Sequence, residues 1–151
     1  MSAVERVTAV LRDAGVAAEV REFPEGTRTA PEAAAAVGCE VGQICKSLVF
    51  RVGAEPLLVI ASGANRVDEA RFGAEKADAA FAREQTGFAI GGVPPYGHVR
   101  AIETIVDEDL LAYPTVWAAA GTPSSVFPIA PGELVARTGG RVERVAPSGD
   151  A

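Results

Sequence analysis

One lysine in an apolar stretch of the sequence is the first candidate for chemistry. Lys46 lies in ICKSLVFRV (44–52), which is rich in β-branched and aromatic residues and predicts a strand. Alternation along a strand places Lys46 on the same face as Leu48 and Phe50. A lysine held partly out of water has a lowered pKa and binds phosphate, carboxylate or carbonyl oxygen. The alternative, which the strand alone favours, is a lysine that extends into solvent from the start of the strand.

A loop rich in glycine and proline is the second candidate. GGVPPYGH (91–98) holds three glycines and two prolines in eight residues, so its backbone N–H groups can approach a ligand closely. The patterns of a P-loop and of a dinucleotide-binding turn are both absent. If this loop lies far from Lys46, it is an ordinary connection. Gly121, which ends a predicted strand, is either another position of close approach or a plain turn glycine.

Several other chemistries lack the residues that they require. His98 is the only histidine and no G-x-S-x-G pattern is present, so a serine triad is not supported. Cys39 and Cys45 are too few for a disulfide framework and, without histidines, do not support a zinc site. We interpret the carboxylates at 68–69 and 107–109 as helix caps, and Cys45 as a small buried hydrophobe. We therefore expect no metal and no cofactor.

The elements that must position these residues follow from periodicity and from turn residues. We expect helices at 3–14, 30–37, 66–73, 78–86 and 131–138, a one-turn helix in 107–114, and strands at 16–23, 44–52, 56–61, 99–107, 114–121, 124–130 and 141–146. This order is not the regular alternation of a parallel sheet, so several strands must pair antiparallel. We predict an α+β (mixed α/β) fold with a curled, barrel-like mixed sheet of six to seven strands and helices around it. The 151 residues are expected to form a single domain, 1–151.

Composition restricts the class of protein. The chain is 48% hydrophobic and 23% charged, which excludes a disordered chain. Its net charge of −6 excludes a surface that coats DNA or RNA through many phosphate contacts, so RNA would be bound through a local patch. The longest apolar runs are far shorter than the ~20 residues of a membrane span, and the first 15 residues are too charged for a signal peptide. We expect a cytoplasmic protein.

The stretches VGQICKSLVF, SGANRVD, GGVPPYGH and YPTVWAAAG, taken together, resemble the YbaK/prolyl-tRNA-synthetase-associated family over about residues 29–137. The most specific markers are Lys46 within Q-I-x-K-S-L-V-F and the G-x-x-x-P loop. The resemblance implies a trans-editing aminoacyl-tRNA deacylase, which hydrolyses the ester between a wrong amino acid and the terminal adenosine of tRNA, most often tRNA(Pro). It implies tRNA as the partner, with prolyl-tRNA synthetase or an elongation factor as further partners.

The same resemblance assigns roles to residues. Lys46 is the catalytic residue, contacting the charged tRNA end near the ester. The loop backbone positions the aminoacyl carbonyl or the adenosine. The expected substrate-binding residues are Ser47, Gly91, Gly92, Val93, Pro94, Pro95 and Gly121.

The amino acid removed is not fixed by the sequence. The branch of the family that removes alanine carries a histidine in the segment matching SSVFPIA (124–130) and an asparagine where Ser47 stands, and both are absent here. If Val93, Val126 and Phe127 face the pocket, they suit a small apolar side chain, and Val126→Asp would change the substrate ranking. The alternative is a non-catalytic module that binds tRNA ends or a nucleotide beside a synthetase. A third possibility is an interaction protein in which Lys46 only reaches solvent.

Overall fold

The computed structural model describes residues 2–13, 15, 19–23 and 29–147. Its α-helices are α1 (Ala3–Asp13), α2 (Ala30–Val37), α3 (Ala79–Thr86) and α4 (Pro131–Thr138), and 3₁₀ helices span Val41–Gln43, Glu69–Phe72 and Glu108–Ala112. Helix α2 begins as its sequence predicts, because the Thr29 hydroxyl oxygen accepts a hydrogen bond from the backbone N–H of Glu32 at 3.3 Å. No helix in the described part of the chain is long and apolar enough to cross a membrane.

The described strands form two sheets. They are β1 (Arg21–Glu22), β2 (Cys45–Val52), β3 (Glu55–Ser62), β4 (Glu75–Lys76), β5 (Glu103–Asp107), β6 (Val116–Ala119), β7 (Ser125–Ile129) and β8 (Arg141–Glu143). One sheet has the order β4-β2-β3-β5-β8, antiparallel from β4 to β3 and parallel from β3 to β8. The other has the order β1-β7-β6 and is antiparallel. The predicted mixed α+β class is confirmed.

The prediction of a barrel-like sheet is wrong. The two sheets approach each other at the start of β2, where Ile44 forms a parallel bridge with Trp117 of β6. Beyond Ile44 the outer edge of β2 does not continue that pairing, and β4 pairs with it only at Phe50 and Arg51 among the described residues. The sheet therefore stays open along the first half of β2, within the part of the chain that the structure describes.

Strand β3 lies at the centre of the core and buries side chains on both faces. Leu58 and Ile60 pack in one cluster with Cys45, whereas Val59 and Ala61 pack in another. Because β2 pairs residue by residue with β3, Cys45 and Ser47 share the face of Ile60, and Lys46 shares the face of Ala61. The alternation predicted for β2 and the burial predicted for Cys45 are both confirmed. Burial of each large apolar side chain stabilises the folded protein by about 1.5–3 kcal/mol relative to leaving that side chain in water.

Some predicted boundaries are wrong. Of the strand predicted at 16–23, residues 16–18 lie outside the described part, and β1 is limited to Arg21–Glu22. The strand predicted from 99 begins at Glu103, because Val99 N–H bonds to the Thr86 carbonyl and continues the loop. The helix predicted at 66–73 is a 3₁₀ helix, Glu69–Phe72. The two-residue strand β4 was not predicted, since so short a strand has no periodicity.

Candidate functional site

A cavity of about 970 Å³ opens beside the unpaired edge of β2. Its walls also include the start of α2, the turn after β3, the Gly/Pro loop and parts of β6 and β7. The lining comprises Ile44 and the first six residues of β2 (45–50), Thr29–Pro31 and Ala33, Gly63, 66–69, Lys76 and Ala77, Ile90, Gly91, Val93, Trp117, Ala119, Pro123, Ser125 and Val126. A cavity of this size is in the range of small-molecule and cofactor sites.

Lys46 lies in the wall of this cavity and is half-buried. Its ammonium Nζ donates a hydrogen bond to the backbone carbonyl oxygen of Asn65 at 2.5 Å. Burial lowers the pKa of Lys46, and the negative charge of Asp107 opposes that shift. An ammonium group has three N–H donors, so one held by Asn65 leaves two for a ligand.

Asn65 and Asp107 are part of this arrangement, and the sequence did not identify them. The side-chain amide of Asn65 donates to Asp107 Oδ2 at 2.9 Å and to Asp109 Oδ2 at 2.8 Å. Asp107 also accepts from the backbone N–H of Asp109 at 3.0 Å, which confirms its interpretation as a helix cap. Asn65 stands in the SGANRVD stretch, but no local pattern connects it with a carboxylate 42 residues later.

Ser47 lies next to Lys46 on the opposite face of β2 and also lines the cavity. Its hydroxyl oxygen is buried and has no hydrogen-bond partner among the described residues. A buried hydroxyl without a partner costs about 1–3 kcal/mol. A ligand in the cavity that offers a polar atom to Ser47 would recover this cost.

The Gly/Pro loop contributes to the cavity in part. Gly91 and Val93 line it, whereas Gly92, Pro94 and Pro95 do not. Gly92 packs instead against the backbone of Gly121, so the loop is supported from behind by another of the predicted site residues.

Pro94 and Pro95 belong to the rear of the loop. The Pro94 carbonyl oxygen lies 2.7 Å from His98 Nε2, and Pro95 lines a separate, smaller cavity of about 370 Å³ together with His98. His98 therefore does not reach the cavity that contains Lys46.

Two of the three residues expected to line a side-chain pocket do so. Val93 and Val126 line the cavity. Phe127 does not, because the next residue along a strand points to the opposite face, and its side chain is fully buried in the core. Trp117 is only partly buried and also lines the cavity. The Arg21 guanidinium lies 5.0 Å from its ring centroid.

Positive charge gathers at this cavity in an otherwise acidic chain. Both lysines of the sequence, Lys46 and Lys76, line it together with Arg66, against the carboxylates of Asp68 and Glu69. The described residues contain no group of three His, Cys, Asp or Glu side chains placed to hold a metal ion. The arrangement supplies an ammonium group, a free hydroxyl and bare backbone around a volume large enough for a nucleoside.

Comparison with known proteins decides the family. The aminoacyl-tRNA editing domain matches residues 24–136 of the chain. The chain belongs to this family. The matched segment contains Lys46, Asn65, Asp107 and the Gly/Pro loop, and every residue that lines the cavity lies within it. Editing of mischarged tRNA is the activity of the family, and tRNA is its ligand.

Individual relatives agree with this assignment. A solved structure of a candidate trans-editing enzyme for prolyl-tRNA synthetase is 46% identical, with a TM-score of 0.91 over 98% of this chain and 99% of that one. A scaffold protein for computational epitope grafting is 44% identical, with a TM-score of 0.90 over 97% of this chain and 98% of that one. The uncharacterized protein YwhH of Bacillus subtilis (strain 168) is 33% identical over an alignment of 123 residues, which covers 77% of this chain and 78% of YwhH.

Proposed function

We propose that this editing domain is an aminoacyl-tRNA deacylase that hydrolyses the ester of a mischarged tRNA in the cytoplasm. The observation that carries the proposal is the position of Lys46. Its ammonium group is held by the Asn65 carbonyl in the wall of a nucleoside-sized cavity, which is also lined by Ser47, whose hydroxyl is unpartnered among the described residues, and by Gly91 and Val93 of the Gly/Pro loop. Membership of the aminoacyl-tRNA editing family supports the same substrate.

The reaction requires water to attack the ester carbonyl carbon. A bond forms between the water oxygen and this carbon, negative charge develops on the carbonyl oxygen, and the bond to the ribose oxygen then breaks. The attacking water gives up one proton, and the ribose oxygen takes up one proton and leaves as a hydroxyl group. The Lys46 ammonium stabilises the developing oxyanion, and loss of one such donor lowers the rate by about 10²–10³.

Binding positions the ester for this attack. Gly91 and Val93 of the Gly/Pro loop line the cavity, and Gly91 has no side chain of its own. Ser47 offers a hydrogen bond to a polar atom of the aminoacyl group or of the ribose. Holding ester and ammonium in one geometry supplies part of the rate acceleration without a protein nucleophile.

The proposed substrate is tRNA(Pro) carrying a small non-cognate amino acid. The small apolar surface of Val93 and Val126 in the cavity favours a small side chain. The relative described as a candidate trans-editing enzyme for prolyl-tRNA synthetase supports tRNA(Pro), with that synthetase as a working partner. Positive side chains at the cavity, Lys46, Arg66 and Lys76, favour the phosphodiester end of a tRNA although the net charge is −6.

The test is deacylation of tRNA(Pro) charged with proline, alanine, cysteine, serine or 2-aminobutyrate. We expect the protein to clear one or two non-proline esters and Lys46→Ala to fall to the spontaneous rate. Arg51→Ala is the matched control, because it removes one positive charge from an exposed position of the same strand, outside the cavity. It should retain wild-type activity.

Two outcomes would contradict the proposal. If the folded protein leaves every ester at the spontaneous rate but binds the charged tRNA, the chain is the non-catalytic tRNA-end module instead. If Lys46→Ala hydrolyses the esters as fast as Arg51→Ala, the lysine has no role in the reaction.

A further inference from the structure

We propose that Asp107, acting through Asn65, is the positioning residue that fixes the Lys46 ammonium group in the cavity wall. The catalytic role of this positioning rests on the proposed function. Its structural content, a chain of contacts from a buried carboxylate to the lysine, can be tested without any substrate.

The first link is a carboxylate with all its contacts inside the protein. Asp107 ends β5 and is 1% exposed. Its Oδ2 accepts from the backbone N–H of Ser62 and from the Asn65 amide, each at 2.9 Å, and its Oδ1 accepts from Asp109 N–H at 3.0 Å. A buried carboxylate is stable only when it is hydrogen-bonded in this way, so its position is strongly fixed.

The second link is the turn that follows β3. Asn65 N–H donates to the Ser62 carbonyl at 3.0 Å, and the Asn65 amide is held by Asp107 and Asp109. With its backbone N–H and its side chain both held, Asn65 presents its carbonyl oxygen in a fixed direction. Lys46 Nζ donates to that oxygen.

Asp107 also acts on Lys46 through its negative charge. Burial lowers the pKa of Lys46, and the charge of Asp107 raises it, so Asp107 helps to keep the ammonium protonated. Asp109 contacts Asn65 from an exposed position, where water screens its charge. The other charged groups around the cavity are Arg66, Asp68, Glu69 and Lys76.

Asp107→Asn and Asp109→Asn form a matched pair of variants. Both replace a carboxylate that accepts from Asn65, but only one of these carboxylates is buried and acts on Lys46. Asparagine at 107 can keep its oxygen toward Ser62 and Asn65, and its amide nitrogen then replaces the oxygen that caps the Asp109 N–H, so one of three hydrogen bonds is lost. The variant is therefore expected to fold. Asn65→Ala removes the link itself while the backbone carbonyl remains.

The substrate-free measurement uses the low lysine content of the chain. With ¹³C-labelled lysine, the Cε signals of Lys46 and Lys76 can be followed against pH. We expect Lys46 to titrate below the ordinary lysine value of 10.5, and at still lower pH in Asp107→Asn. Asp109→Asn should leave the titration of Lys46 unchanged. Equal shifts in the two variants, or no shift in Asp107→Asn, would overturn the inference.

The kinetic measurement uses whichever mischarged tRNA the wild-type protein clears. We expect Asn65→Ala to lower kcat roughly tenfold to a hundredfold with little change in KM, because a misplaced group loses rate rather than binding. Asp107→Asn should lower the pH at which activity declines on the alkaline side, and Asp109→Asn should not. Unchanged kcat in folded Asn65→Ala would overturn the positioning role.

The two measurements separate failure of this inference from failure of the proposed function. If the wild-type protein does not hydrolyse any ester but the Lys46 titration responds to Asp107→Asn alone, the positioning by Asp107 is supported and the deacylase assignment fails. If the esters are hydrolysed but the two aspartate variants behave alike, the deacylase assignment stands and the positioning role fails.

Discussion

Gly92 lies against the backbone of Gly121 with no room for a side chain between them. A Cβ on Gly92 would fall 2.7 Å from the Gly121 carbonyl oxygen and 2.6 Å from the α-carbon of Thr122. Gly121 has a left-handed φ of +106°, and a Cβ there would meet the carbonyl oxygen of Ala3 at 2.7 Å. Two glycines that the sequence marked separately thus form one contact, which holds the Gly/Pro loop against the strand connection.

Gly92→Ala is therefore expected to displace the loop. The methyl group meets backbone atoms, which cannot rotate away, so the loop must shift or the variant must lose stability by about 1–3 kcal/mol. Urea unfolding measures the loss, and deacylation reports the shift at Gly91 and Val93. Gly132→Ala is the control, because a Cβ at position 132 meets nothing within 4 Å. The free energy of unfolding of this variant should change little. Equal stability of the two variants would contradict the close contact.

Val126→Phe is expected to narrow the cavity. Val126 is 6% exposed and lines the cavity, so a larger side chain can extend into this space instead of into the core. Hydrolysis of the 2-aminobutyryl ester should fall by about tenfold more than that of the alanyl ester, the usual effect of one methylene in a filled pocket. The control Val99→Phe adds the same volume at a position 64% exposed, outside the cavity. An unchanged ratio of the two rates in Val126→Phe would contradict the assignment of Val126 to the pocket for the amino acid side chain.

The pH dependence of activity follows from Lys46. Burial lowers its pKa below the ordinary lysine value of 10.5, and the ammonium form is the active one. The enzyme-dependent rate should therefore decline on the alkaline side at a pH below 10.5. Rates are measured at each pH after subtraction of spontaneous hydrolysis. A rate that stays constant up to pH 10.5 would mean that the charge of Lys46 is not required.

His98 is expected to make the protein less stable in mild acid. Burial lowers its pKa below the ordinary 6.5, while its hydrogen bond to the Pro94 carbonyl opposes the shift. The unfolded chain then takes up a proton near pH 6.5 that the folded protein does not. The stabilisation is complete above pH 6.5 and decreases as the pH falls below it, by at most about 1.4 kcal/mol per pH unit.

The check is urea unfolding between pH 5.5 and 7.5 for the wild-type protein and His98→Gln. Glutamine can still donate to the Pro94 carbonyl but does not titrate. The free energy of unfolding should vary less with pH in His98→Gln. Identical pH profiles would show that the folded and unfolded states bind protons at His98 equally.

The sequence alone determined most of the local structure. The alternation in β2 predicted which residues share the face of Lys46, and the helix predicted at 30–37 is α2, whose start is capped by Thr29. These features depend on residues within one turn or one strand, so local patterns are sufficient for them. Helix α3 and the strands β2 and β3 were predicted for the same reason, with β2 ending at Val52 and β3 beginning at Glu55.

The tertiary structure decided which of these residues meet. Asn65 and Asp107 lie 42 residues apart, and they come together because β5 pairs parallel with β3. The open edge of β2, which creates the cavity, depends on how far β6 follows β2 after Ile44. Strand order and register arise from packing across the whole core. The group that accepts from Lys46 is a backbone carbonyl, which every residue has, so the residue type at position 65 does not reveal it. The sequence therefore identified the lysine and the loop, and only the fold could supply the network that holds them.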